Sequence, residues 1–322
     1  MEPANNEENI ILIDHKIDVP KNKLTGGTNR NPVFSIYEGL IIYKPESEQE
    51  LNNYKIVNKY RQKLQERGVC FPVLLQTKDL NSVPGYFAQI SLPFFQPFTI
   101  EEHFGKFGLF EEKKVLEAYI KGIRTIGEVI PQYEFESHEE EGVDQTLAMV
   151  NTFREYVEDY TKTITPYINF SKIIKDNLIS VEGLQLDVSH KDANPSNWRA
   201  VTINDKLFIN FIDLETLGLA HPGWDEGRTY VLFAMNPERQ KLFLELLKEE
   251  PAFQDKNILT NFWLVVMLRS LREIYFLKRG KYDESIENYK SIDSERNELK
   301  ESIISAVGET LKQALKELRK DN

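Results

Sequence analysis

The chain has 322 residues, an ordinary apolar share of 41% and a single cysteine, Cys70. That length can bury a substantial core in one large domain or two modest ones, and one thiol forms no internal disulfide, which suits a reducing compartment. A formal net charge of −11 argues against nucleic acid as a partner, because phosphate contacts need clustered Lys and Arg, and weakly favours cationic small ligands by steering.

Met1-Glu2-Pro3-Ala4-Asn5-Asn6-Glu7-Glu8 has no basic region followed by an apolar run, so no signal peptide is read there. From Ile10 to about Leu92 the texture is strand-rich. Val33–Tyr37 and Leu40–Tyr43 are β-branched and aromatic runs around Glu38-Gly39, which suits a hairpin turn. Ser47 and Glu50 form a capping box that opens a helix, expected to run to Arg67 before Gly68 stops it. Phe71–Leu75 and Gly85–Ile90 read as two more strands. After Pro93-Phe94-Phe95-Gln96-Pro97 the texture turns helical. Val115, Tyr119, Ile123 and Ile126 recur at helical spacing within Glu111–Ile130, and Leu147–Tyr167 and Phe170–Leu178 also read as helices. The acidic run Glu134–Glu141 reads as an exposed connection.

Leu184–Val188 is expected as a short strand, followed by a strand pair, Trp198–Thr202 and Lys206–Ile212, around Asn204-Asp205. Helices resume at Trp224, the last over about Ser291–Lys320 with Ile303, Val307, Leu311, Leu315 and Leu318 on one stripe. The longest apolar stretch, Phe262–Leu268, is far short of the roughly 20 residues that span a bilayer, so no membrane partner is expected and a cytoplasmic protein is. The division expected is a strand-rich lobe over residues 1–92 and a helical lobe over 93–322, with a proline-flanked joint near 91–97. Ligands favour such clefts.

The sharpest motif is His190-Lys191-Asp192-Ala193-Asn194-Pro195-Ser196-Asn197, spaced H-x-D-x-x-x-x-N as in a kinase catalytic loop. Phosphoryl transfer needs a carboxylate beside the attacking hydroxyl and oxygen ligands that hold Mg²⁺ against the phosphates of ATP. Asp192 suits the first task and Asn197 the second. An apolar strand, Phe208–Ile212, then ends in Asp213, a placement that fixes a metal ligand at a strand tip; a turn or cap role is the alternative. Upstream, Gly26, Gly27 and Thr28 let backbone amides approach a phosphate, or form a plain loop. Lys44 ends a strand, where a kinase places the lysine that binds the α- and β-phosphates. Glu50 is the partner expected for it, with Glu46 and Glu48 as alternatives and the capping box as a competing role.

Taken in order, these motifs resemble the aminoglycoside phosphotransferase and choline kinase superfamily, small-molecule relatives of protein kinases. The resemblance covers about residues 20–235 and rests on Leu24–Asn29, on His190–Asn197, and on Ile212-Asp213-Leu214-Glu215 followed by Gly218, Pro222 and Asp225. It implies an α+β, bilobal, protein-kinase-like fold with a small antiparallel sheet lobe and a larger helical lobe. It also implies Asp192 as catalytic base or hydroxyl orienter, Asn197 and Asp213 as Mg²⁺ ligands, Lys44 on the ATP phosphates, His190 as a prop for the loop, and Asp225 as a brace. The expected activity is phosphorylation of a hydroxyl on a small, cationic metabolite or aminoglycoside-like compound. Glu134–Glu141, Glu215 and Glu226 are the acidic groups expected to receive it. Lys191 stands where the family usually has Gly, Asn194 where a protein kinase has Lys, and Leu214 where the family commonly has Trp. Trp198-Arg199 is bulkier than the usual aliphatic pair. The alternatives are a non-catalytic nucleotide-binding pseudokinase and, below it, a protein kinase.

Overall fold

The computed structural model describes residues 11–13, 33–37, 40–43, 47–77, 86–90, 109–135, 170–181, 183–193, 197–203, 206–279 and 293–320. Gly26, Gly27, Thr28 and Lys44, the joint at 91–97 and the helix expected at 147–167 lie outside the described residues.

The chain forms two compact units, each assembled from separated stretches. One comprises Met1–Glu136 with Val188–Gly218, the other Ser137–Asp187 with Leu219–Asn322. This grouping differs from a division at residue 92.

In the first unit a five-stranded sheet has the order β1 (Ile11–Ile13), β5 (Val73–Thr77), β6 (Tyr86–Ile90), β3 (Leu40–Tyr43), β2 (Val33–Tyr37). The expected hairpin is present: β2 and β3 pair antiparallel, Val33 opposite Tyr43, with a register shift between Ser35 and Tyr37. β3 pairs antiparallel with β6, β6 with β5, and β1 joins β5 in parallel.

Two expectations change. The helix expected to run from Ser47 to Arg67 is broken into α1 (Glu48–Lys59) and α2 (Arg61–Glu66) by Tyr60, whose φ of −103° and ψ of 6° leave the helical region. The break coincides with a tie to another element, because the Tyr60 hydroxyl donates to Glu134 Oε1 at 2.7 Å. Lys59 Nζ donates to Glu134 Oε2 at 3.0 Å. Glu134 therefore does not begin an exposed connection. It lies in a 3₁₀ turn, Gln132–Glu134, and is held from two sides. The N-terminal cap forms as expected, with the Glu50 amide donating to Ser47 Oγ at 3.1 Å. The stop also holds, since Gly68 takes a left-handed φ of 87°.

The strand expected at Phe71–Leu75 forms as β5, starting later at Val73, and a short strand that was not expected, β4 (Val69–Cys70), precedes it in a different sheet. Pro72 lies between them and has no N–H for a ladder. β4 pairs in parallel with β9 (Lys206–Phe211), Val69 opposite Ile209, and β9 pairs antiparallel with β8 (Trp198–Ile203). Against this three-stranded sheet packs α3 (Leu109–Val129), which buries Val115, Tyr119, Ile123 and Ile126 as their spacing predicts. Burial pushes the thiol of Cys70 up to about 11, so it is an inert thiol at neutral pH.

The second unit is helical. Its central element, Lys256–Lys278, buries every residue from Asn261 to Leu271. Helices Phe170–Val181, Trp224–Leu232 and Asp293–Leu318 pack on it. The last helix presents Val307, Leu311, Leu315 and Leu318 to the core as expected, but Ile304 is buried more deeply there than Ile303. At Gly227 an added Cβ would lie 2.9 Å from Val265 Cβ, so this glycine sets how closely Trp224–Leu232 approaches the central helix. Among the described residues no helix is long and apolar enough to cross a membrane.

Candidate active site

The loop carrying His190, Lys191 and Asp192 follows β7 (Asp187–Ser189), which starts later than the strand expected at Leu184–Val188. Residues 194–196 lie outside the described residues, and Asn197 leads into β8. The β8–β9 ladder runs from Ile203 opposite Lys206 to Trp198 opposite Phe211, and one further bond continues it: the Ile212 amide donates to the Asn197 carbonyl at 2.9 Å. Asn197 and Asp213 are sixteen positions apart in sequence and stand at the same end of this hairpin.

Asn197 is also tied to Asp192. Its Nδ2 donates to the Asp192 carbonyl at 3.0 Å and to Asp192 Oδ2 at 3.1 Å. The hairpin thus sets Asn197, bonded to Asp192, opposite Ile212, the residue that precedes Asp213. His190 tightens this arrangement. The ring is fully buried, and Nε2 lies 2.9 Å from the Ile212 carbonyl, an oxygen that can only accept, so Nε2 carries the proton. The His190 carbonyl in turn accepts from Thr216 Oγ1 at 2.9 Å. Two bonds therefore join the segment before Asp192 to the residues on both sides of Asp213, a geometry that agrees with a propping role for His190. Below the loop, Tyr119 Oη donates to the Ala193 carbonyl at 2.5 Å while its ring stacks on Trp198, centroids 4.5 Å apart.

Two residues here take left-handed backbone: Lys191 with φ 61° and Asp213 with φ 60°. Lys191 sits where the resembled family usually has Gly, and a positive φ is what Gly adopts without steric cost. The Lys191 amide donates to Ser189 Oγ at 3.2 Å, and its half-buried side chain runs past Gly218, where an added Cβ would lie 3.4 Å from Nζ.

Behind Asp213 stands α1. Glu50, Asn53, Tyr54 and Val57 form its buried face, packed on the 3₁₀ turn Leu214–Thr216. Asn53 Nδ2 donates to the carbonyls of Leu214, at 2.7 Å, and Leu217, at 3.2 Å. Burial, then the negative charge of Asp213, holds the Tyr54 phenol well above its usual range, although hydrogen bonds with the Leu214 and Asp213 backbone oppose the shift. Glu50 is 2% exposed and inward-pointing, as a partner for Lys44 must be, but Lys44 lies outside the described residues. Asn53, Tyr119 and Thr216 were not singled out from sequence as functional residues. A polar Asn beside Tyr54 and Val57 on a buried helical face was the one available signal.

The donor set fits Mg²⁺ in kind. Asn197 and Asp213 offer hard oxygens, and Mg²⁺ is held by one or two protein oxygens together with phosphates and water. Among the described residues no group of three or more His, Cys, Asp or Glu could hold a metal ion. In the second unit, Asp225 and Glu226 are both buried in the first turn of Trp224–Leu232, whereas Glu215 in the first unit is exposed.

No family model and no curated protein matches the sequence. Solved structures do match over nearly the whole chain. A choline/ethanolamine kinase family protein from Mesorhizobium loti aligns with a TM-score of 0.56 and 15% identity over 94% of this chain and 93% of that one. The GDP and kanamycin complex of APH(2")-IIia aligns with a TM-score of 0.52 and 14% identity over 92% and 93%. A microcompartment-associated aminopropanol kinase aligns with a TM-score of 0.50 and 12% identity over 93% and 92%. The chain therefore has the α+β fold shared by these choline kinase-like, aminoglycoside-binding and aminopropanol kinase structures.

Proposed function

We propose that the protein is an ATP-dependent phosphotransferase that phosphorylates a hydroxyl of a small, cationic metabolite or aminoglycoside-like compound. The observation that carries this reading is the contact of Asn197 Nδ2 with Asp192 Oδ2 at 3.1 Å, in a loop that the Ile212–Asn197 backbone bond ties to the strand preceding Asp213. The fold supports it: the neighbours are kinases by title or were solved with GDP and an aminoglycoside.

In this reading the fold is bilobal, residues 1–92 forming the nucleotide-binding lobe and 93–322 the helical lobe with the catalytic loop and acceptor site. Asp192 orients the acceptor hydroxyl and takes its proton as the oxygen attacks the γ-phosphorus and the bond to ADP breaks. Asn197 and Asp213 hold Mg²⁺, which when bound neutralises charge on the phosphates. Lys44, supported by Glu50, binds the phosphates, and the amides of Gly26, Gly27 and Thr28 cover them. Catalysis is then mainly positioning and electrostatics.

The net charge of −11 supports a cationic acceptor. Of the acidic residues expected to receive it, Glu134 is engaged by Lys59 and Tyr60 and Glu226 is buried, so exposed Glu215 remains the described candidate. The test is nucleotide consumption, with ATP and GTP, across amino alcohols, aminoglycosides and neutral sugars. Turnover restricted to amines, and lost in Asp192→Ala, supports the proposal. Preference for neutral or anionic acceptors removes the cationic part, and nucleotide binding without turnover of any acceptor removes the enzymatic part.

A further inference from the structure

Asn53 is fully buried on α1, yet its polar atoms serve nothing within the helix. Its Nδ2 bonds both carbonyls that bound the turn after Asp213, Leu214 at 2.7 Å and Leu217 at 3.2 Å. The Leu214 carbonyl already closes that turn by accepting the Leu217 amide at 3.1 Å, so one side chain fastens both ends of it to α1. Meanwhile Asn53 Oδ1 is buried with no hydrogen-bond partner among the described residues. Leaving a buried acceptor unsatisfied is unfavourable, so whatever this amide contributes comes from its two donor bonds; an apolar side chain would fill the space without that penalty.

What the donors hold is the backbone immediately beyond a left-handed residue, Asp213, with φ 60° and ψ 70°. A non-glycine residue persists there only when its surroundings impose it. Asn53 and its neighbour Tyr54 both bond this turn from α1, outside the hairpin, and Asn53 alone of the two reaches its far end at Leu217. Glu50, assigned to the nucleotide, lies one turn earlier on the same helix face.

We propose that Asn53 is a positioning residue: it holds the turn that fixes the backbone of Asp213, so that the pose of α1 sets the affinity for the divalent cation. This rests on the reading of Asp213 as a metal ligand.

The test uses the full chain as wild type, Asn53→Ala and Ile120→Val, the last a mild destabilisation of a buried residue on α3 away from the turn. ADP affinity is measured by calorimetry with Mg²⁺ and with EDTA, hydrogen exchange is followed at the Leu217 amide, and thermal midpoints are recorded. Asn53→Ala should reduce the Mg²⁺-dependent gain in ADP affinity about tenfold, leave the metal-free affinity unchanged and speed exchange at Leu217. Ile120→Val should lower the midpoint alone. If Asn53→Ala does not fold, Asn53→Ser, which keeps a shorter donor, should show a smaller loss in the same sense. Equal losses with and without metal, unchanged exchange at Leu217, or the same pattern in Ile120→Val would overturn the proposal. A wild type whose ADP affinity is indifferent to Mg²⁺ is a different failure, since it refutes the assignment of Asp213 before any variant is compared.

Discussion

Asn197 turns the donor end of its side-chain amide onto Asp192, reaching the main-chain oxygen at 3.0 Å and Oδ2 at 3.1 Å. One residue thereby orients the proposed base and offers its own amide oxygen as a proposed metal donor. Asp192→Ala should remove the first function alone. Turnover is expected to fall about 10²–10⁴-fold while Mg²⁺-nucleotide affinity stays near wild type, checked by coupled ADP release beside calorimetry. A comparable loss of nucleotide affinity would contradict the assigned role.

Asp213→Ala should behave in the opposite sense. Metal-dependent nucleotide binding is expected to weaken at least tenfold, and activity to recover partly at high Mg²⁺. A Mg²⁺ titration of both variants separates the two carboxylates.

His190 is buried, and its Nε2–H bonds the Ile212 carbonyl. His190→Ala should lower stability by about 3 kcal/mol, through a cavity and a lost buried hydrogen bond, measured by urea unfolding. Because the bond requires a neutral or charged ring with Nε2 protonated, His190→Gln is expected to retain more stability than His190→Ala.

How much of this was legible in the sequence follows from the range of each interaction. The H-x-D-x-x-x-x-N spacing, the strand leading to Asp213 and the buried stripe of α3 are local patterns, and the strand and the helix form where they were expected. Tyr60 reads as an ordinary helical residue, and the bond that coincides with the break goes to a glutamate 74 positions away. Pro72 could have announced the later start of β5, because it cannot donate to a ladder. Asn53 could not have been assigned, as its partners lie 161 and 164 positions downstream. The glycine loop and Lys44 stand on sequence alone.

The Tyr60–Glu134–Lys59 cluster predicts a pH dependence. Burial opposes ionisation of Glu134, but hydrogen bonds from Tyr60 and Lys59 outweigh it, so its carboxyl titrates below the usual range. A depressed folded-state value means stability that is present above the unfolded value, about 4.3, and lost as pH falls through the folded one. Wild type should therefore exceed Glu134→Gln in stability at pH 7, and the difference should shrink once the pH drops below about 4, followed by urea unfolding at each pH.

Gly227 offers a test in the helical unit. Gly227→Ala would set a methyl 2.9 Å from Val265 and 3.0 Å from the Phe262 carbonyl. Overpacking of this kind should cost about 1–3 kcal/mol, read as a lowered thermal midpoint. Pairing it with Val265→Ala should restore part of the loss.

Neither compact unit is a contiguous piece of chain, because residues 188–218 return to complete what 1–136 begin. During synthesis the partner of β4 emerges some 140 residues after β4 itself, so a nascent chain halted at residue 136 holds Val69, Tyr119 and Ile126 without the strand that covers them. Cutting this protein into independently expressed halves should yield aggregation-prone fragments, and co-translational protection of the early stretch becomes a requirement of its topology rather than of its sequence.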